Sequence, residues 1–119
     1  MSDATTPVGE LRDAWAQFVR EREWEQFHSP KNLVMALACE AAELMEHFLW
    51  IESEASRGVA GDPVKLGEIA DEMADVTCYL LALCNALGLD LSDCVRRKMA
   101  KNVLKYPVEK SRGRYRVSE

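Results

Sequence analysis

Three times along this chain a residue able to cap a helix is followed at once by proline: Thr6-Pro7, Ser29-Pro30 and Asp62-Pro63. Proline suits the first helical position, because the amide hydrogen it lacks would have no partner there and its fixed φ already fits the helix. Each pair opens a stretch whose apolar residues recur three and four positions apart, and no strand-like alternation appears. The first helix is expected from about Pro7 to Gln26, with Leu11, Trp15, Phe18, Val19 and Arg22 on its core-facing stripe and Trp24 and Phe27 extending it. The second should run from Pro30 to about Glu52, and the third from Pro63 to about Leu87, stopped by Gly88. Between them, residues 53–62 carry two glycines and no periodicity, which predicts a mobile surface loop. Asp90 or Ser92 can cap a fourth helix, from about Leu91 to Lys105, and a basic, partly extended tail follows from Pro107. Four helices with short connections predict an all-α chain, a four-helix bundle subunit. It should form a single domain over residues 1–119, flexible over 1–6 and about 114–119.

Two of these helices carry acids where a core stripe would be apolar. In Cys39-Glu40-Ala41-Ala42-Glu43-Leu44 and again in Glu72-Met73-Ala74-Asp75, two carboxylates stand three residues apart on one helical face. Glu40, Glu43, His47 and Trp50 form one stripe, and Glu68, Glu72, Asp75 and Tyr79 another. One such pair is commonly a solvated surface, but two pairs on consecutive helices, each continuous with apolar residues, suggest ledges that face each other. Uncompensated charges in a core cost several kcal/mol each. Facing ledges therefore call for solvent or a hard cation, and magnesium is usually held by a few carboxylates together with its substrate's phosphates.

Charge is unevenly distributed. From Arg96 to Arg116 there are nine Lys/Arg against Glu109 alone, so this segment carries +8 while the rest of the chain carries −13. An acidic body and a basic segment suit a polyanion held through divalent cations; the plainer reading is a solvated tail or one that touches nucleic acid. No apolar run approaches the roughly 18 residues that span a bilayer. The N-terminus has neither a basic nor an apolar leader, so no membrane partner and a cytoplasmic location are expected. The four cysteines, Cys39, Cys78, Cys84 and Cys94, lack CxxC spacing and are expected to be buried free thiols. Trp24, Trp50, His28 and His47, each taken alone, read as structural.

Glu40-x-x-Glu43 followed by Glu72-x-x-Asp75 resembles the metal-binding signature of the MazG-like all-α nucleoside triphosphate pyrophosphohydrolases. Arg22-Glu23-Trp24-Glu25-Gln26-Phe27-His28, Phe48-Leu49-Trp50, Lys98-Met99-x-x-Asn102-x-x-x-Tyr106-Pro107 and Ser111-Arg112-Gly113 resemble the dCTP pyrophosphatase branch. The resemblance covers about Leu11 to Gly113. It implies Mg2+ ligation by Glu40, Glu43, Glu72 and Asp75, with Glu40 or Glu43 also catalytic. It implies a nucleoside pocket formed by Trp24, Glu25, Gln26, Phe27, His28, Trp50 and Tyr79, and phosphate contacts from Lys98, Asn102, Tyr106 and Arg112. Trp15 stands where the branch can have histidine near the base, Cys39 where the broader signature often has glutamate, and Ile69 where it often has lysine.

The implied reaction is hydrolysis between the α- and β-phosphates of dCTP or a modified dCTP, yielding dCMP and pyrophosphate. The implied assembly is a homotetramer, a dimer of dimers, with no stable nucleic-acid partner. The alternatives are a relative acting on dUTP or phosphoribosyl-ATP, or a non-enzymatic helical module that binds nucleic acid through the basic tail.

Overall fold

Pro30 and Pro63 do open helices, each behind a side chain that closes the first turn. In a computed structural model, which describes residues 1–115, Ser29 Oγ accepts from the Asn32 amide at 3.2 Å. Asp62 Oδ1 accepts from both the Val64 and Lys65 amides at 3.1 Å. These caps satisfy amides that the helix itself leaves open. Helix α1 spans Val8–Glu21, α2 Pro30–Glu46 and α4 Pro63–Leu87, with a short α3, Ser53–Ser56, between the last two. Pro7 is itself the cap residue of α1, so the helix begins one position later than expected, and the cap makes no side-chain bond. Residues 2–6 are not featureless, since the Thr5 and Thr6 amides both donate to the Ser2 carbonyl. No strand occurs among the described residues, in keeping with the all-α expectation.

The chain divides into two compact units, Met1–Gly88 and Leu89–Glu119. In the first, α4 is the central element, with α2 packed along it and α1 also against it. Val19 of α1, Leu33 of α2, and Ile69, Leu81, Ala82 and Cys84 of α4 form the buried core. Helix α4 ends at Gly88, whose φ of 66° suits the left-handed cap that glycine adopts without a Cβ penalty. The second unit holds α5, Leu91–Lys105, and α6, Val108–Ser111. Asp90 caps α5 by accepting from the Asp93 amide at 2.9 Å.

Several expectations need correction. Helix α1 stops at Glu21 rather than Gln26, because Glu23 adopts φ 55° and a 3-10 turn, Trp24–Phe27, follows. Arg22 lies at the surface instead of on the core stripe, where its guanidinium donates to the Phe18 carbonyl at 3.0 Å and sits 3.6 Å from the Phe18 ring centre. Helix α2 stops at Glu46 rather than Glu52: the His47 and Phe48 amides bond back three residues, to Leu44 and Met45. The aromatic and β-branched residues from Phe48 to Ile51 propagate a helix less well than the Ala- and Leu-rich run before them. The connection expected to be a loop contains α3 and a 3-10 turn, Val59–Gly61, and the tail expected to be extended contains α6. Residues 116–119, expected to be flexible, lie outside the described residues.

All four cysteines are free, but Cys39 is exposed; Cys84 is buried, and Cys78 and Cys94 lie between. The exposure of Cys39 follows from register. Leu33, Leu37, Glu40 and Leu44 turn inward, so Cys39 joins the exposed Ala38, Ala41 and Ala42 on the outer face. Among the described residues no single helix is long and apolar enough to cross a membrane.

Candidate metal centre and adjoining cleft

The predicted ledges meet. Glu40 and Glu43 from α2 and Glu72 from α4 each bring one carboxylate oxygen into a group whose members all lie within 4.8 Å of one another. Asp75, one turn along α4 from Glu72, is exposed and outside that tight group, but its charge acts on both Glu40 and Glu72.

The electrostatics are those of acids brought together without counter-charge. Loss of surrounding water, then a hydrogen bond and repulsion from Glu43, then the charges of Asp75 and Glu72, push the Glu40 pKa from 4.5 up to about 7. Glu72 is raised by loss of water first and then by Glu43 and Asp75, with His47 opposing. The cluster therefore retains a proton that isolated carboxylates would lose. Glu40 Oε2 and Glu72 Oε2 are cut off from solvent and accept no hydrogen bond. Buried carboxylate oxygens without donors are costly, and a hard divalent cation satisfies them. These residues fit a Mg2+-type ion.

His47 is drawn into this site. Its Nδ1 lies 3.8 Å from Glu68 and its Nε2 3.9 Å from Glu72, which sets the imidazole between two acids of α4. The sequence puts His47 on the Glu40/Glu43 stripe, where taken alone it reads as structural; its partners depend on how α2 and α4 align.

Tyr79 links the acids to a second feature. Burial raises its pKa first, followed by the charges of Glu40 and Asp75. Its ring meets Trp15 edge to face at 6.4 Å and His28 at the same centroid distance. Beyond it opens a cleft of about 220 Å³ whose walls include Trp15, Glu25 and His28. Arg20 and Asn85, which sequence reading did not single out, also line it, and Ala16, Ala82 and Ala86 leave it open by their small size. Along α4, Asp75, Tyr79, Ala82 and Ala86 follow one another at helical spacing, so Ala82 stands about 10 Å beyond Asp75.

The other predicted residues are placed as follows. Trp24 packs edge to face on Phe18 at 5.7 Å. Gln26 donates to the Glu23 carbonyl at 2.9 Å, and the Phe27 carbonyl accepts from Asn32 at 3.1 Å, so both brace the turn rather than line the cleft. Trp50 is 93% exposed. Lys98, Asn102, Tyr106 and Arg112 belong to the second unit, where the Tyr106 amide donates to the Asn102 carbonyl at 2.8 Å and Arg112 follows α6.

Residues 35–116 match the model of the MazG-like family. The chain is similar to dCTP pyrophosphatase 1 of Rattus norvegicus, 43% identical over 105 residues, which are 87% of this chain and 61% of that protein. It is also similar to dCTP pyrophosphatase 1 of Bos taurus, 40% identical over 104 residues, 87% of this chain and 62% of that protein. The chain thus spans about three fifths of the length of these curated relatives. A crystal structure of a pyrophosphatase from Archaeoglobus fulgidus superposes with a TM-score of 0.77 at 37% identity, covering 90% of this chain and 98% of the other.

Proposed function

Because this chain belongs to the MazG-like family, we propose that it is a cytoplasmic, magnesium-dependent nucleoside triphosphate pyrophosphohydrolase acting on dCTP or a modified dCTP. The observation that carries this reading is the carboxylate group with its unsatisfied Glu40 and Glu72 oxygens, joined through Tyr79 to a cleft walled by Trp15, Glu25 and His28. An anion-facing acidic site needs cations, and the neighbouring cleft is the place for a base.

Glu40, Glu43 and Glu72 would hold the metal, with Asp75 adding charge from the next turn. When bound, divalent cations supply charge neutralisation along a triphosphate and acidify a nucleophilic water. Water attacks the α-phosphorus, the bond from that phosphorus to the oxygen bridging it to the β-phosphate breaks, and dCMP and pyrophosphate form. Glu40 or Glu43 accepts the proton of the attacking water. Tyr79 and Trp15 shield the nucleoside from solvent, and Lys98, Asn102, Tyr106 and Arg112 are assigned to the phosphates.

The working form is proposed to be a homotetramer, a dimer of dimers of single-domain four-helix subunits. Support comes from the apolar side chains left at the surface of α2 and α4, among them Val34, Met35, Met45 and Met73, each at least half exposed. The exposed indole of Trp50 is then available to a neighbouring copy, where it and Trp24 hold the base.

The test is to incubate the purified chain with magnesium and each common dNTP and NTP, plus 5-methyl-dCTP, dUTP and phosphoribosyl-ATP, and to quantify the monophosphate product and pyrophosphate. Fastest release from cytosine deoxynucleotides supports the reading, and fastest release from dUTP or phosphoribosyl-ATP moves the substrate. Absence of turnover with every nucleotide overturns the enzymatic reading in favour of a binding module.

A further inference from the structure

Arg12 on α1 and Asn85 on α4 are 73 positions apart, yet they form a two-point clasp: Arg12 Nε donates to Asn85 Oδ1 at 2.9 Å, and Asn85 Nδ2 donates to the Arg12 carbonyl at 3.3 Å. A guanidinium can only donate and a carbonyl can only accept, so both contacts fix the same orientation of the Asn85 amide. Asn85 lines the cleft, and the clasp engages its oxygen while leaving one N–H uncommitted. Glu25, in the wall of the same cleft, offers a carboxylate acceptor. An unrestrained asparagine could turn over and present either group; here the clasp fixes which way the amide faces and holds the second N–H of Nδ2 in place as a donor.

We propose that Asn85 is a specificity-determining residue that reads the base, with Arg12 as its positioning residue, and that together with Glu25 they select a 4-aminopyrimidine over a 4-oxopyrimidine. Cytosine presents an amino donor beside the N3 acceptor, which complements an acceptor from Glu25 and a donor from Asn85. Uracil and thymine present the reverse order, a carbonyl acceptor beside an N3–H donor, and meet like groups on both walls. Leaving such groups unpaired in a cleft is how a site rejects a near-isostere. This assignment rests on the proposed nucleotide hydrolysis and names the feature of its substrate that the cleft recognises.

The experiment measures kcat/KM for dCTP and dUTP with magnesium in the wild-type chain, N85D and R12M, with circular dichroism as the check on folding. N85D keeps an acceptor for Arg12 but loses the free donor, and R12M removes the 2.9 Å bond to Asn85 Oδ1, leaving the amide held only by its 3.3 Å bond to the main-chain carbonyl. N85D is expected to lower the dCTP/dUTP ratio about tenfold, the size of one hydrogen bond, and R12M to lower it by less. A merely structural clasp would lower both substrates together and leave the ratio unmoved. Wild-type preference for dCTP with a ratio within twofold of wild type in folded N85D overturns the assignment and leaves the reaction standing. Failure of the wild-type chain to hydrolyse any nucleotide overturns the reaction, and this assignment with it.

Discussion

Tyr79 meets Trp15 edge to face, with ring centroids 6.4 Å apart and planes at 75°, while the charges of Glu40 and Asp75 act on its phenol. One side chain thus borders both the carboxylates and the cleft. A triphosphate on the acids and a base among the aromatics would both touch it.

Tyr79→Ala should therefore affect two properties at once. Losing a half-buried ring that packs against Trp15 and His28 should cost about 2 kcal/mol of stability by urea denaturation, and KM for the nucleotide should rise. Tyr79→Phe keeps the ring and should stay within about 1 kcal/mol of wild type. Equal effects of the two substitutions on stability would mean that the hydroxyl matters more than the ring.

Glu72→Gln should change the sign of a stability effect. In chelator it removes one of the charges crowding Glu40, so the unfolding temperature should rise. With magnesium added, the wild-type chain should gain stability by mass action and the variant should gain little. Thermal scans with and without magnesium check both halves.

The raised Glu40 pKa sets a pH dependence for the metal-free protein. The folded state holds the Glu40 proton up to about pH 7, whereas the ordinary value is 4.5. Folding is therefore linked to proton uptake in that window: the contribution is fully present below the lower value and is lost as pH rises through the upper one. Metal-free stability should fall between those two pH values, and magnesium, which replaces the proton, should flatten the fall. Denaturation midpoints across pH, with chelator or with magnesium, measure it.

At the start of α4, Asp62→Ala removes the acceptor for two backbone amides. It should cost about 1 kcal/mol, read by thermal or urea unfolding. Because the cap lies nearly three turns before Glu72, the metal-induced stabilisation should persist.

Much of this architecture can be read locally. Ser29-Pro30, Asp62-Pro63 and Gly88 mark helix ends through chemistry confined to a few residues, and Glu40 with Glu43 on α2, like Glu72 with Asp75 on α4, share a face because of helical spacing alone. The end of α1 carries no such mark, since the left-handed residue there is Glu23 rather than glycine and is held by neighbours such as Gln26. Nor could sequence place His47 between Glu68 and Glu72, or Arg12 on Asn85, because both depend on the alignment of two helices distant in sequence. Cys39 is exposed although its Ala-rich segment looks apolar on every face, because the stripe that turns inward is narrow.

The central claim is that Glu43 belongs to a carboxylate site driving attack of water on the α-phosphorus. Hydrolysis of dCTP with magnesium in isotopically labelled water, followed by mass spectrometry of both products and repeated with Glu43→Gln, tests it directly. The account predicts label in dCMP and none in pyrophosphate for the wild-type chain, and no turnover by the variant with helical content intact. Label in pyrophosphate, or full activity in Glu43→Gln, would contradict it.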